Sequence, residues 1–411
     1  MRKLVMPLVA VLALAVGGCG NDKKETGGTS GATTTAGART MTVAVGGPFS
    51  GDAKPTGDQI RAGARLAADQ INAAGGITAG PLKGARLVID DGFDDADEPQ
   101  RAVDNIRKVI DDPKYIAFVG SGLSDASVAA AGPASQAGLS YLTAYASSPK
   151  ILAAAKAQKS VFVVPPTFPA YSFSITDELV KAGHKRPAII HLTGTYGDGI
   201  TEFVVQRLKE RGITPVANES FKFGDADFTT QLGRIKSQSP DSLVMVGLAD
   251  SDALVLRQAE QLGLRVPAYD PGGITNSDSF LKDAGNLANG VVGNSPTDAQ
   301  RNTPAAKSLR EAYTAATKES VVPDPAVFAY EGVQAVAAAF ADGATGRLDL
   351  SDHLHRISIA DTGVGPLKFA PDGSRVGGRL YIFTIVAGKP VFRTGYEQTG
   401  PQAVREVSLE R

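Results

Sequence analysis

Two serines and a tyrosine stand where recognition chemistry on a small solute is possible: Ser124, Ser147 and Tyr196. Residues 116–119 form a short apolar run, and Gly120-Ser121-Gly122 makes a turn. Ser124 then occupies the expected N-cap of a helix that runs to about Ala137 and ends at Gly138. A second strand is predicted over 139–143. It leads to a hydroxyl-rich loop ending Ser147-Ser148-Pro149. In an open α/β sheet, ligands bind at the carboxyl ends of the strands. A helix N-terminus there suits an anion, because its unpaired N–H groups and its dipole both favour negative charge. Residues 116–149 therefore read as a grip on the negative end of a small solute. The run Tyr196-Gly197-Asp198-Gly199 follows a predicted strand at 188–192. It reads either as turn chemistry with Asp198 capping a helix, or as a tyrosine closing over the ligand.

Other chemistries fit less well. Gly120-Ser121-Gly122 lacks the third glycine and the distal acid of a dinucleotide fingerprint. Gly122-Leu123-Ser124-Asp125-Ala126 resembles a nucleophile elbow with Ala at the last position, so a serine hydrolase using His353 or His355 stays open as an alternative. His353-Leu354-His355 has neither a cysteine nor a paired carboxylate motif, and no metal is expected there. The acidic run 90–98 does not match calcium-loop spacing. It reads as a strand-end loop whose carboxylates cap the helix opening at Pro99.

These residues need a scaffold of strands and helices. The chain has 411 residues, which argues for two domains. Lys plus Arg is 42 and Asp plus Glu is 43, so nothing asks for nucleic acid. From Met41 onward apolar strand runs alternate with helix-period segments such as 57–73 and 99–110. That alternation predicts right-handed crossovers and parallel sheets. Residues 161–168, VFVVPPTF, look like a crossing between lobes, and a second is expected near 292–296. The end of the chain, from Gly365, reads as a short antiparallel unit. The expected fold is α/β, with two Rossmann-like lobes joined by a three-crossing hinge. One lobe comprises 41–165 plus 297–362, and the other 166–296 plus 363–411.

Residues 1–18 have two basic residues, an apolar run and small residues, the pattern of a secretory signal. Cys19, the sole cysteine, follows Val16-Gly17-Gly18 directly and resembles a bacterial lipobox. Lipidation of Cys19 would supply two acyl chains, enough for stable anchoring. Residues 19–40, rich in Gly and Thr, then read as a flexible tether. The expected location is the extracytoplasmic face of the cell membrane, held by lipid.

The chain resembles the type I periplasmic binding proteins, in particular the leucine/isoleucine/valine-binding solute receptors of ABC importers. The features are Gly-Pro-Phe-Ser-Gly at 47–51, GARLAADQINAAGGI at 63–77, the stretch 116–139, the Ser147-Ser148-Pro149 loop, Thr195-Tyr196-Gly197-Asp198-Gly199, LRQAEQLGL, FAYEGVQA and GPLKFAPDG. The resemblance implies a non-catalytic receptor without cofactor, a monomer, that closes on a solute and delivers it to an ABC permease. It implies a ligand carboxylate held by Ser124, Ser147 and backbone near Tyr145, with Tyr196 from the second lobe and a wall residue near Thr56. It further implies an acidic residue for the ligand ammonium where this chain has Gly272. An aromatic is also replaced, by Leu248-Ala249-Asp250. Asp250 or Asp270 could stand in for the missing acid; otherwise the solute lacks an α-ammonium and is an aromatic or organic acid or an amide. A branched-chain-type amino acid is the first expectation. A sensory receptor of the same fold is the remaining alternative.

Overall fold

The computed structural model describes residues 39–156, 159–273, 277–298, 301–319 and 321–408. The expected signal sequence, Cys19 and the tether up to residue 38 lie outside the described residues.

The strand–helix alternation becomes two separate sheets. The first contains β1 (Thr40–Gly47), β2 (Arg86–Asp94), β3 (Tyr115–Val119), β4 (Tyr141–Leu142) and β5 (Val161–Phe162). They run parallel in the order β2-β1-β3-β4-β5. The crossovers are α1 (Lys54–Ala73), α2 (Pro99–Asp111), α3 (Ser124–Gln136) and α4 (Pro149–Ala154). All five residues of β3 are buried, as befits a parallel strand covered on both faces. Pro55 in the first turn starts α1 at Lys54, ahead of the expected start at 57.

A second set follows: α5 (Phe168–Lys181), β6 (Pro187–Leu192), α6 (Thr195–Glu210), β7 (Ala217–Phe221), α7 (Thr229–Ser237), β8 (Ser242–Val246), α8 (Ala249–Gln261), β9 (Ala268–Asp270), α9 (Asp278–Ala284) and β10 (Val292–Ser295). Here β7, β6, β8, β9 and β10 are parallel neighbours. An antiparallel end is added by β13 (Arg379–Val386), β14 (Lys389–Gly400) and β15 (Ala403–Val407).

Between β10 and β13 the chain returns to the first lobe. Helices α10 (Pro304–Thr317), α11 (Asp324–Asp342) and α12 (Leu350–Leu354) share one core with the first sheet. Val333, Val336 and Phe340 of α11 pack with Val43, Val45 and Val119. Val364, Leu367 and Phe369 join that same core, although 363–411 was expected to lie wholly in the second lobe. They flank or belong to a small ladder of β11 (Lys368–Phe369) and β12 (Arg375–Val376). Leu380 is the first residue beyond it that packs in the core of the second lobe.

The crossings are fastened by buried polar groups. Arg375 donates to Glu331 at 2.6 and 2.9 Å, to the Val164 carbonyl at 2.9 Å and to the Pro366 carbonyl at 2.8 Å. The Gln398 side chain accepts from the Thr167 N–H and donates to the Arg375 carbonyl, both at 3.1 Å. Asn294 donates to the Tyr171 carbonyl at 2.8 Å and to Ser174 Oγ at 3.0 Å. These hydrogen bonds tie together residues as far as 231 positions apart in the chain.

Candidate functional site

A cavity of about 140 Å³ lies where loops at the carboxyl ends of both sheets meet. The first lobe contributes the β3–α3 turn with Gly122, Leu123, Ser124 and Asp125, the β4–α4 loop with Tyr145 and Ser147, and Asp97 from the loop after β2. The second contributes Leu192, Thr193 and Tyr196 around the start of α6, Phe223 after β7, Leu248 after β8 and Gly272 after β9. Phe168 and Tyr171 enter from α5.

The β3–α3 turn is held from below. The Ser121 N–H donates to Tyr141 Oη at 3.1 Å, and Ser127 Oγ donates to the Ser121 carbonyl at 3.3 Å. A Cβ on Gly122 would stand 2.9 Å from Ile60 and from Pro48, so only glycine lets the turn lie this close to the β1 loop. Ser124 is buried and lines the cavity, but it is the first residue of α3, and Leu123 holds the cap position with no side-chain bond. That corrects the expected capping role. Its hydroxyl bonds to none of the described residues and is available to a ligand. Ser147 is likewise buried against the cavity, and Ser148 caps α4 by accepting the Lys150 N–H at 3.3 Å.

Tyr196 is a second correction. It lies inside the first turn of α6, not in a turn before the helix. Gly197 makes this possible: a Cβ there would sit 1.7 Å from the Leu192 carbonyl oxygen. Asp198 accepts the Gly194 N–H at 3.2 Å and so does brace the helix start. Tyr196 Oη donates to the Gly247 carbonyl at 3.3 Å, and its ring meets Phe168 edge-on at 6.0 Å. Burial raises the phenol pKa of Tyr145, Tyr171 and Tyr196 well above the usual range, with Asp324 or Asp270 adding to each shift. All three are therefore neutral hydrogen-bonding groups at physiological pH.

The other candidates lie elsewhere. Thr56 is half-buried in the first turn of α1, Asp250 is exposed in the first turn of α8, and Asp270 is buried and accepts the Gly272 N–H at 2.5 Å. None of the three lines the cavity. No histidine lines it either. His353 Nδ1 lies 2.8 Å from Asp342 and His355 Nε2 2.9 Å from the Lys159 carbonyl, so neither histidine of the hydrolase alternative stands beside Ser124. No group of three metal-ligating side chains occurs among the described residues. Sequence reading missed Asp97, Phe168, Tyr171, Phe223 and Leu123. Tyr171 and Phe168 carry an ordinary core-helix pattern, and only the crossing brings them to the cleft.

A contact also spans the two lobes: Thr195 Oγ1 donates to Asp125. A family model described as "Periplasmic binding protein" matches residues 40–390. The chain belongs to the periplasmic-binding-protein family, a family of binding proteins and not of enzymes. It is 30% identical over 351 residues to the leucine-specific-binding protein of Salmonella typhimurium, covering 83% of this chain and 89% of the relative. The branched-chain amino acid transporter substrate binding protein LivJ of Streptococcus pneumoniae, solved with isoleucine, superposes with a TM-score of 0.75 at 25% identity. That match covers 90% of this chain and 99% of LivJ. An ABC transporter solute binding protein of Rhodopseudomonas palustris BisB5, solved with 3,4-dihydroxybenzoic acid, gives a TM-score of 0.77 at 22% identity and covers 88% of this chain and 98% of its own. It shares the fold. The two-lobed architecture of this periplasmic binding protein follows that shared plan.

Proposed function

We propose that this protein is the solute receptor of an ABC importer and holds a small carboxylate-bearing solute, an amino acid of branched-chain type, between its lobes. The carrying observation is the cavity itself: buried hydroxyls and the α3 N-terminus face it from one lobe, while Tyr196, Leu192 and Leu248 face it from the other. Ser124, Ser147 and backbone N–H groups would take the carboxylate, and Tyr145 and Tyr196 would flank the solute. The leucine- and isoleucine-binding relatives support this assignment. The lobes divide as 41–165 plus 297–362 and 166–296 plus the remainder, with 363–376 as part of the hinge. Closure is a hinge motion about the three crossings. Lipidation at Cys19 would keep the receptor beside its permease at the membrane.

A second reading has its own support. The cavity carries five aromatic rings, those of Tyr145, Phe168, Tyr171, Tyr196 and Phe223, and one structural neighbour holds an aromatic acid. A thermal-shift panel of amino acids, aromatic acids and amides, followed by calorimetry, separates the two readings. Stabilisation by an aliphatic amino acid supports the first and by an aromatic acid the second. If no compound of any class raises the melting temperature, the receptor reading fails. Cys19→Ser should release the protein from the membrane fraction, and retention would overturn lipidation.

A further inference from the structure

The charges around the cavity are one-sided. Asp97 and Asp125 line it, and no Lys, Arg or His does among the described residues. A site built only for a carboxylate would not place two carboxylates beside Ser124.

Most of the acidic run that supplies Asp97 is paired. Asp90 accepts from Tyr115 Oη at 2.7 Å, Asp91 pairs with Arg65 at 2.6 Å, and Asp94 pairs with Arg101 at 2.9 Å and accepts from Ser50 at 2.6 Å. Asp95 and Asp97 differ. Asp95 is 2% exposed, and its Oδ1 accepts the Asp97 N–H at 3.0 Å. Its Oδ2 is buried with no hydrogen-bond partner, and so is Asp97 Oδ1. A buried carboxylate oxygen without a partner is costly, and an opposite charge within about 4–6 Å removes that cost. Asp97 lines the cavity from a loop with φ +49° at Ala96 and +61° at Asp97. Burial, followed by Asp95 and Asp125, pushes the Asp97 carboxyl up to about 7. Among the described residues, no Lys, Arg or His is paired with Asp97.

We propose that Asp97, with Asp125 beside it, receives a protonated amine of the solute, so that the ligand's positive charge is read by the first lobe. This rests on the receptor reading above and names the ligand as a zwitterion. The amine meets Asp97 and Asp125, the carboxylate meets Ser124 and the N-terminus of α3, and the apolar remainder lies among the aromatic rings. Gly272 then needs no acidic replacement, because the charge partner stands on the opposite wall. Asp125 has two tasks: it faces the amine and accepts Thr195 Oγ1 across the cleft. Amine binding and lobe closure thereby share one carboxylate.

The test compares phenylalanine, leucine, their deaminated acids 3-phenylpropionate and 4-methylpentanoate, and the amines phenethylamine and isopentylamine, by calorimetry on the mature protein. The zwitterion is expected to bind at least about tenfold tighter than the deaminated acid, as for a charged hydrogen bond. Asp97→Asn should abolish most of that preference while changing affinity for the acid little. Asn tolerates a positive φ, so the loop should survive, and an unchanged melting temperature of unliganded D97N verifies it. A merely structural Asp97 would lower affinity for acid and zwitterion alike, which would overturn the proposal. Equal or tighter binding of the deaminated acids by the unmutated protein would also overturn it, yet leave the receptor reading intact. If none of the six compounds binds and the broader panel is also silent, the receptor reading itself fails.

Discussion

Ser124 Oγ faces the cavity with no described protein partner, so a bound carboxylate would become its acceptor. Ser124→Ala should weaken ligand binding by about 1–3 kcal/mol, the cost of leaving a buried charged acceptor one donor short. Calorimetry decides it, and unchanged affinity would remove Ser124 from the site. Asp324 shows how burial can outweigh hydrogen bonding in setting a titration. It sits at the start of α11, accepts from Thr297 Oγ1 at 3.1 Å, and burial raises its carboxyl to about 7. A folded-state pKa above the unfolded value of 3.8 means that the folded state binds the proton more tightly. Its contribution is full below about 4 and is lost as pH rises through about 7. Asp324→Asn should therefore flatten the fall in melting temperature of the unliganded protein across that window. An unaltered pH profile would show that Asp324 does not titrate there. Ser124 was legible from the sequence because helix-start chemistry has a local signature. Asp324 was not, because nothing local distinguishes a half-buried first-turn aspartate from an exposed one such as Asp250.

The elements hold together where the chain crosses between lobes. Glu331 on α11 and Arg375 on β12 are both buried, and Thr362 Oγ1 also donates to Glu331. Arg375→Met should destabilise the protein by about 3–5 kcal/mol, because Glu331 would keep a buried charge without its partner. The double variant R375M/E331L should lose less than the sum of the single variants, as denaturant melts would show; strict additivity would mean that the pair is not coupled. At the cleft, Thr195→Val removes the hydroxyl that bridges α6 to Asp125. Ligand affinity should fall by about 0.5–1.5 kcal/mol with the unliganded melting temperature unchanged. A drop in both would indicate a role in folding. The strand–helix order was readable because apolar runs and helical periods are local. The start of α6 was not: its first turn depends on Gly197 meeting the Leu192 carbonyl, a fit that a turn-like YGDG sequence conceals.

On the scale of the whole molecule, a ligand that binds only the folded protein adds stability by mass action. At about 100 times its dissociation constant, the cognate solute should contribute about 2.7 kcal/mol. A thermal shift that does not grow with ligand concentration would mean that the compound is not bound at a single site. The residues alone determined the α/β alternation, the two lobes and the serines of the cleft, because each is carried by a short segment with its own turn, periodicity or hydroxyl-rich loop, whereas Tyr196 stayed open between turn chemistry and a ligand contact. Tertiary structure decided which of the acidic residues line the cavity. Asp250 and Asp270 were the candidates by position along the chain, but Asp97 and Asp125 are the ones that line the cavity. Charge is read through space: which carboxylates find a partner and which face a cavity depends on residues outside the acidic run, here Arg65, Arg101 and Tyr115 for its neighbours and Asp125 for Asp97 itself.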